Sequence, residues 1–109
     1  MMFKLTAIDQ CPVQTGSKDN RPAPQLSAAL AKSCEAAGYH RYWLAEHHSS
    51  QALAGSAPEV LTGRIAAVTN TIRVGSGGVM LTHYSAYKVA EQWRMLHALF
   101  PHRIDLGLG

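Results

Sequence analysis

The chain has 109 residues, 47% apolar and 16% charged, which is the composition of a single globular domain with a modest core. No apolar run approaches the roughly eighteen residues that a membrane-spanning helix needs. Ten basic against seven acidic residues give a net charge of +3, and the basic ones are spread evenly along the chain, whereas a nucleic-acid surface would cluster them among aromatics.

The opening MMFKLTAIDQCPV has no basic stretch leading into a long apolar one, so no signal peptide is expected and a cytoplasmic location is. FKLTAID, 3–9, alternates through Phe3, Leu5 and Ala7 and predicts a strand. A polar loop of about a dozen residues follows, carrying Pro12, Gly16, Asp19, Asn20, Pro22 and Pro24, a length that suits a functional role. Residues 25–37 predict a helix with Leu26, Ala29, Leu30, Cys34 and Ala37 inward and Gly38 as its stop. RYWLAEHH, 41–48, begins as a second strand.

Ser56-Ala57-Pro58-Glu59 has the form of a capping box, with Pro58 suited to a first helical turn. Val60, Leu61, Ile65 and Val68 supply a buried stripe that runs to Asn70. IRVGSGGVML, 72–81, predicts the third strand. The third helix runs from about Ala86 to Leu99, with Val89, Ala90, Trp93, Leu96 and Phe100 inward and Pro101 ending it. RIDLGLG, 103–109, predicts a fourth strand. Cys11 and Cys34 lack metal-ligand spacing and are expected to be free thiols.

The order β-α-β-α-β-α-β implies an α/β fold of parallel strands. An open nucleotide-binding sheet would carry a glycine-rich turn after its first strand. Gln10-Cys11-Pro12-Val13 stands there instead, which favours a partial (β/α)8 barrel of about four strands and three helices. A full barrel takes about 250 residues. Residues 1–109 are therefore expected to be the amino-terminal half of such a domain, truncated after strand four. Its open sheet edges are expected to associate with a partner or a second copy.

Three places could carry chemistry. Glu46-His47-His48 follows the second strand, at the end where barrels place catalytic residues. Strand alternation puts Glu46 and His48 on one side and His47 on the other. A histidine there can shuttle protons near neutral pH, or simply finish the strand. Gly75-Ser76-Gly77-Gly78 weakens the third strand. The compensation is open between a bulge, close approach to a flat ligand, and a cis peptide between Gly77 and Gly78. Thr82-His83-Tyr84-Ser85 leaves that strand at the same rim, with Ser85 a helix cap. Asp9 either binds a ligand hydroxyl or caps a turn. No metal site is expected, since the spacing is not HExxH.

YHRYWLAEHH, SAPEVLTGRIAA and IRVGSGGVMLTHYSAYKVAEQWRMLHALFPHRIDLGLG together resemble the amino-terminal part of bacterial luciferase-like, flavin-dependent monooxygenases, from Phe3 to Gly109. The resemblance implies a (β/α)8 barrel with flavin at the carboxyl ends of the strands. It implies His47 as the proton-transfer residue beside the flavin, and Gly77-Gly78 as a cis peptide under its ring. Glu46 and Ser76 would be neighbouring cofactor-pocket residues. The implied reaction is oxidation of a small organic substrate by O2 with reduced FMN, supplied by a separate reductase. A deazaflavin coenzyme transferring hydride, or a non-catalytic half-barrel that pairs with a partner, are the alternatives. His102 and Thr82 stand where the family commonly has glycine and proline. The family's flavin-phosphate residues come from the later half, so activity is expected to need it.

Overall fold

The computed structural model describes residues 3–109. Along it lie β1 (Thr6–Asp9), α1 (Pro22–Ala36), β2 (Arg41–Leu44), α2 (Pro58–Val68), β3 (Arg73–Ser76), a 3-10 turn (Leu81–His83), α3 (Ala86–Leu99) and β4 (Ile104–Asp105). The strands form one sheet in the order β1-β2-β3-β4, with every neighbouring pair parallel. A doubly wound sheet reverses its strand order at a switch point. Here each strand pairs with the next in sequence, and α2 touches both α1 and α3 in a single helical layer. That is the arc of a (β/α)8 barrel.

Alternation along the strands sorts the two faces of the arc. Tyr42, Leu44 and Val74 point outward and are buried with Ala31, Cys34, Ile65 and Ala66 of the helices. A second cluster joins Val79 to Val89, Trp93 and Leu96 of α3. The opposite, inner face carries Arg41, Trp43 and Arg73. All three donate to Asp105 of β4, Arg73 at 2.8 Å, Arg41 at 3.1 Å and Trp43 at 3.4 Å. Ile8, opposite Trp43 in the register, stays 61% exposed on that face.

The third helix has the bounds expected of it, and Ser85 caps it by accepting from the Lys88 amide at 3.3 Å. The first helix starts earlier than expected, at Pro22. Both prolines fit its first turn, where amide hydrogens have no helical partner to lose. Its face is also rotated. Ala23, Ser27, Ala28, Ala31 and Cys34 are buried, while Leu26 and Leu30 are exposed. Small residues face the sheet because Tyr42, with no exposed surface, fills the space beneath them. The capping box at Ser56 does not form. Ala57 is the N-cap, with no side-chain hydrogen bond, and its carbonyl accepts from the Val60 and Leu61 amides. Val60, expected inward, is 69% exposed. Strands one, two, three and four are all shorter than their apolar runs.

Two side chains from distant elements hold the turn between α2 and β3. Glu35 of α1 accepts from the amides of Asn70, Thr71 and Ile72 at 2.7–3.0 Å. Arg103 donates to the carbonyls of Ala66, Thr69 and Ile72. Partial burial pushes the Glu35 carboxyl up, but the Thr71, Ile72 and Asn70 amides outweigh it and hold the group below its ordinary value. A depressed folded-state value adds stability above the unfolded value, lost as pH falls through the folded one. Glu35→Ala is expected to cost about 1–2 kcal/mol at neutral pH, towards the low end because the site is solvent-screened. Urea unfolding at neutral pH and at stepwise lower pH measures it. The gap between variant and parent should close in acid, and a gap that stays constant would contradict the assignment.

Candidate active site

The carboxyl ends of β2 and β3 lead into segments 45–50 and 77–84, which meet at one rim. The alternation of β2 carries on past Leu44. Glu46 and His48 share a side, their Oε2 and Nε2 atoms 2.5 Å apart. The Glu46 side chain has no exposed surface. It also accepts from the Tyr84 hydroxyl at 2.6 Å and the Met80 amide at 3.3 Å. Burial pushes this carboxyl up, but the donors from His48, Tyr84 and Met80 prevail and keep it below its ordinary value. The same hydrogen bond holds the phenol proton, with Tyr84 pushed up to about 12.

His47 is placed differently. Its amide donates to the Gly55 carbonyl at 2.8 Å. Its ring Nε2 is buried and has no hydrogen-bond partner among the described residues. Leaving such an atom unpaired costs about 1–3 kcal/mol. An adjacent pair of histidines is thus divided into one that is engaged and one that is free.

The glycine run forms the other wall. The Gly77–Gly78 peptide is cis. A Cβ on Gly77 would come within 3.1 Å of Trp43 Cε3, and one on Gly78 within 2.7 Å of the Leu108 carbonyl carbon. A Cβ on Gly75 would land on the Asp105 carbonyl. Backbone therefore leaves no room for a side chain at Gly75 or Gly78, while Gly77 is crowded by an indole that can shift. Ser76 is fully buried, and its hydroxyl donates to the Gly107 carbonyl and accepts from the Gly107 amide. It ties β3 to the segment after β4, and its one hydroxyl hydrogen is already used there.

Asp9 takes the turn role, accepting from the Cys11 amide at 2.7 Å, and also accepts from the Tyr42 hydroxyl. Cys11 and Cys34 are buried free thiols. His83, Tyr84 and Ser85 line a cavity of about 270 Å³ with Glu59 and Lys88. A second cavity of the same volume, lined by Leu44, Ala54, Pro58, Leu61 and Arg64, is apolar and includes neither Glu46 nor the histidines. The pairing of Tyr84 with Glu46 and the place of Trp43 under Gly77 were not foreseen from sequence. Trp43 could have been placed, because alternation with Tyr42 and Leu44 already sends it inward.

Sheet order and one-sided helices define a (β/α)8-type segment, with polar groups gathered at the carboxyl ends of its strands. A family model described as luciferase-like monooxygenase matches residues 2–109, and the chain belongs to that family. Two Bacillus subtilis proteins match over 108 residues, covering 99% of this chain and 32% of their own. One is an uncharacterized protein, YwcH, at 59% identity, and the other an N-acetyl-S-alkylcysteine monooxygenase at 53%. The crystal structure of apo-MsnO8 superposes with a TM-score of 0.92 at 52% identity, over 97% of this chain and 32% of that one. Two more distant structures share the fold: a Pseudomonas putida 3,6-diketocamphane monooxygenase component in complex with FMN (22% identity, TM-score 0.88) and an F420-dependent secondary alcohol dehydrogenase (17%, 0.77). They are covered over 29% and 32% of their length, against 97% and 100% of this chain. The chain thus spans about a third of the length of the relatives it matches. No helix among the described residues is long and apolar enough to cross a membrane.

The glycine contacts set an order of costs. Gly78→Ala meets backbone that cannot yield and is expected to destabilise by about 1–3 kcal/mol. Gly77→Ala meets the Trp43 indole, which can shift, and should cost less. In a Trp43→Leu background the Gly77→Ala loss should be smaller than in the parent. Urea midpoints of these variants and of Trp43→Leu alone decide, and equal costs at Gly77 and Gly78 would refute these contacts as the reason for glycine.

Proposed function

We propose that residues 1–109 form the amino-terminal part of a flavin-dependent monooxygenase barrel whose later strands lie outside this chain. The whole protein oxidises a small organic substrate with O2. The carrying observation is the buried, unpartnered Nε2 of His47 at the rim where this fold places its chemistry. Family membership and matching relatives named as monooxygenases support the reaction class. The exposed inner-face Ile8, and the exposed Leu106 and Leu108 beyond β4, support completion by further strands.

The residues present fit a flat cofactor such as FMN. The half-buried Gly77–Gly78 main chain carries no side chains, and His47 holds a free ring nitrogen beside the same rim. Reduced FMN, when bound, supplies the activation of O2 and the transfer of oxygen. His47 accepts or returns a proton at Nε2. Gly77 and Gly78 offer main chain to the ring. Glu46 and Ser76 act at one remove, Glu46 by orienting His48 and Ser76 by anchoring the strand below the glycines.

The test uses the whole protein that contains this chain. It is expected to bind FMN and, with a flavin reductase, to consume oxygen in the presence of substrate. His47→Ala should reduce turnover about 100-fold or more while FMN binding persists. Unchanged turnover would remove His47 from its role. Hydride transfer to a deazaflavin without oxygen uptake would replace the FMN assignment. Binding of neither coenzyme would leave a non-catalytic barrel.

A further inference from the structure

Tyr84 is 38% exposed, yet its hydroxyl reaches inward to a carboxylate with no solvent contact. The 2.6 Å O–H···O separation is that of a strong charge-assisted hydrogen bond. His48 meets the same Glu46 oxygen. An ionised carboxylate can only accept. The His48 nitrogen facing it must therefore carry hydrogen, which makes the neutral ring the Nε2–H form and leaves Nδ1 as its acceptor. Tyr84 Oη and His48 Nε2 lie 3.4 Å apart. Both donate to Glu46, so they share an acceptor and are not bonded to each other. The other Glu46 oxygen takes the Met80 amide, so the one carboxylate holds the segment after β3 in two places.

We propose that Tyr84 is a positioning residue: its hydroxyl and the His48 imidazole share one oxygen of Glu46, which clamps segment 77–84 onto segment 45–50 and fixes His48 as the Nε2–H tautomer next to His47. Its consequence for His47 rests on the flavin reading above, whereas the clamp itself does not. The other titratable groups nearby are His83, whose ring meets those of His48 and Tyr84 edge-on, Glu59 of α2 and Lys88 of α3. None of them hydrogen-bonds to Tyr84.

Tyr84→Phe keeps the ring and removes only the hydroxyl. Three readouts are taken on the flavin-free protein, with His48→Gln used to assign the His48 signal. Ring nitrogen NMR above neutral pH should show the Nε2–H form of His48 in the parent. The Glu46 carboxyl carbon should titrate higher in Tyr84→Phe than in the parent, because the charged form has lost a donor. Exchange of the Met80 amide should quicken about tenfold in the variant. A side chain that merely packs would leave the Glu46 titration in place. An Nδ1–H tautomer in the parent would overturn the proposal. So would Glu46 titration and Met80 exchange both unchanged in Tyr84→Phe. If acid unfolds the protein before Glu46 titrates, Met80 exchange at neutral pH decides. Failure of the whole protein to bind FMN would sink the functional proposal and move none of these signals.

Discussion

One carboxylate organises the inner face of the sheet. Asp105 arrives on the shortest strand and gathers the guanidinium groups of Arg41 and Arg73 and the Trp43 indole from the two strands before it. Half-burial pushes its carboxyl up, but the Arg73 and Trp43 hydrogen bonds, with the nearby positive charges, hold it below its ordinary value. A buried carboxylate without such partners would be costly; with them it ties β2, β3 and β4 together. The tie brings β4 so close to β3 that position 75 has no room for a side chain. It also fixes the indole on which Gly77 rests. The wall of the candidate site is thus set from below, by charges paired with one another.

Above that floor, a period of two divides the work among three consecutive residues. Glu46 and His48 turn to one side and are engaged with each other, Glu46 also with Tyr84 and Met80. His47 turns to the other and keeps a nitrogen unspent. Neighbours of like chemistry acquire unlike roles because alternation gives them different surroundings. The division follows the pattern of (β/α)8 barrels, in which the carboxyl ends of the strands carry the chemistry and the opposite end the stability.

Much of the fold could be read in the residues. Helix three was legible to its ends because Ser85 and Pro101 mark them by local chemistry. Parallel strands followed from the alternation of elements, and the barrel arc from the missing phosphate loop. Helix one was harder, since its buried face is built of Ala, Ser and Cys while two leucines stay outside. Hydrophobic periodicity assumes that the largest apolar residues face in, and here Tyr42 had already taken the room. The Ser56 cap failed because its motif is local while the path of segment 52–57 is set by long-range pairing, with the Ala54 amide on the Cys11 carbonyl and the His47 amide on Gly55. At the site, the pairing of Glu46 with His48 was readable from alternation. The Tyr84 contact spans 38 positions and leaves no local pattern.

Strand order equal to chain order has a kinetic meaning. Each strand finds its partner in the unit made just before it, so no strand waits for a distant one, and loop-closure entropy is met in small instalments. A ribosome releasing this chain from its amino terminus would deliver the units in the order in which they dock. The arc can grow by accretion, each new strand–helix unit building on the edge left by the last.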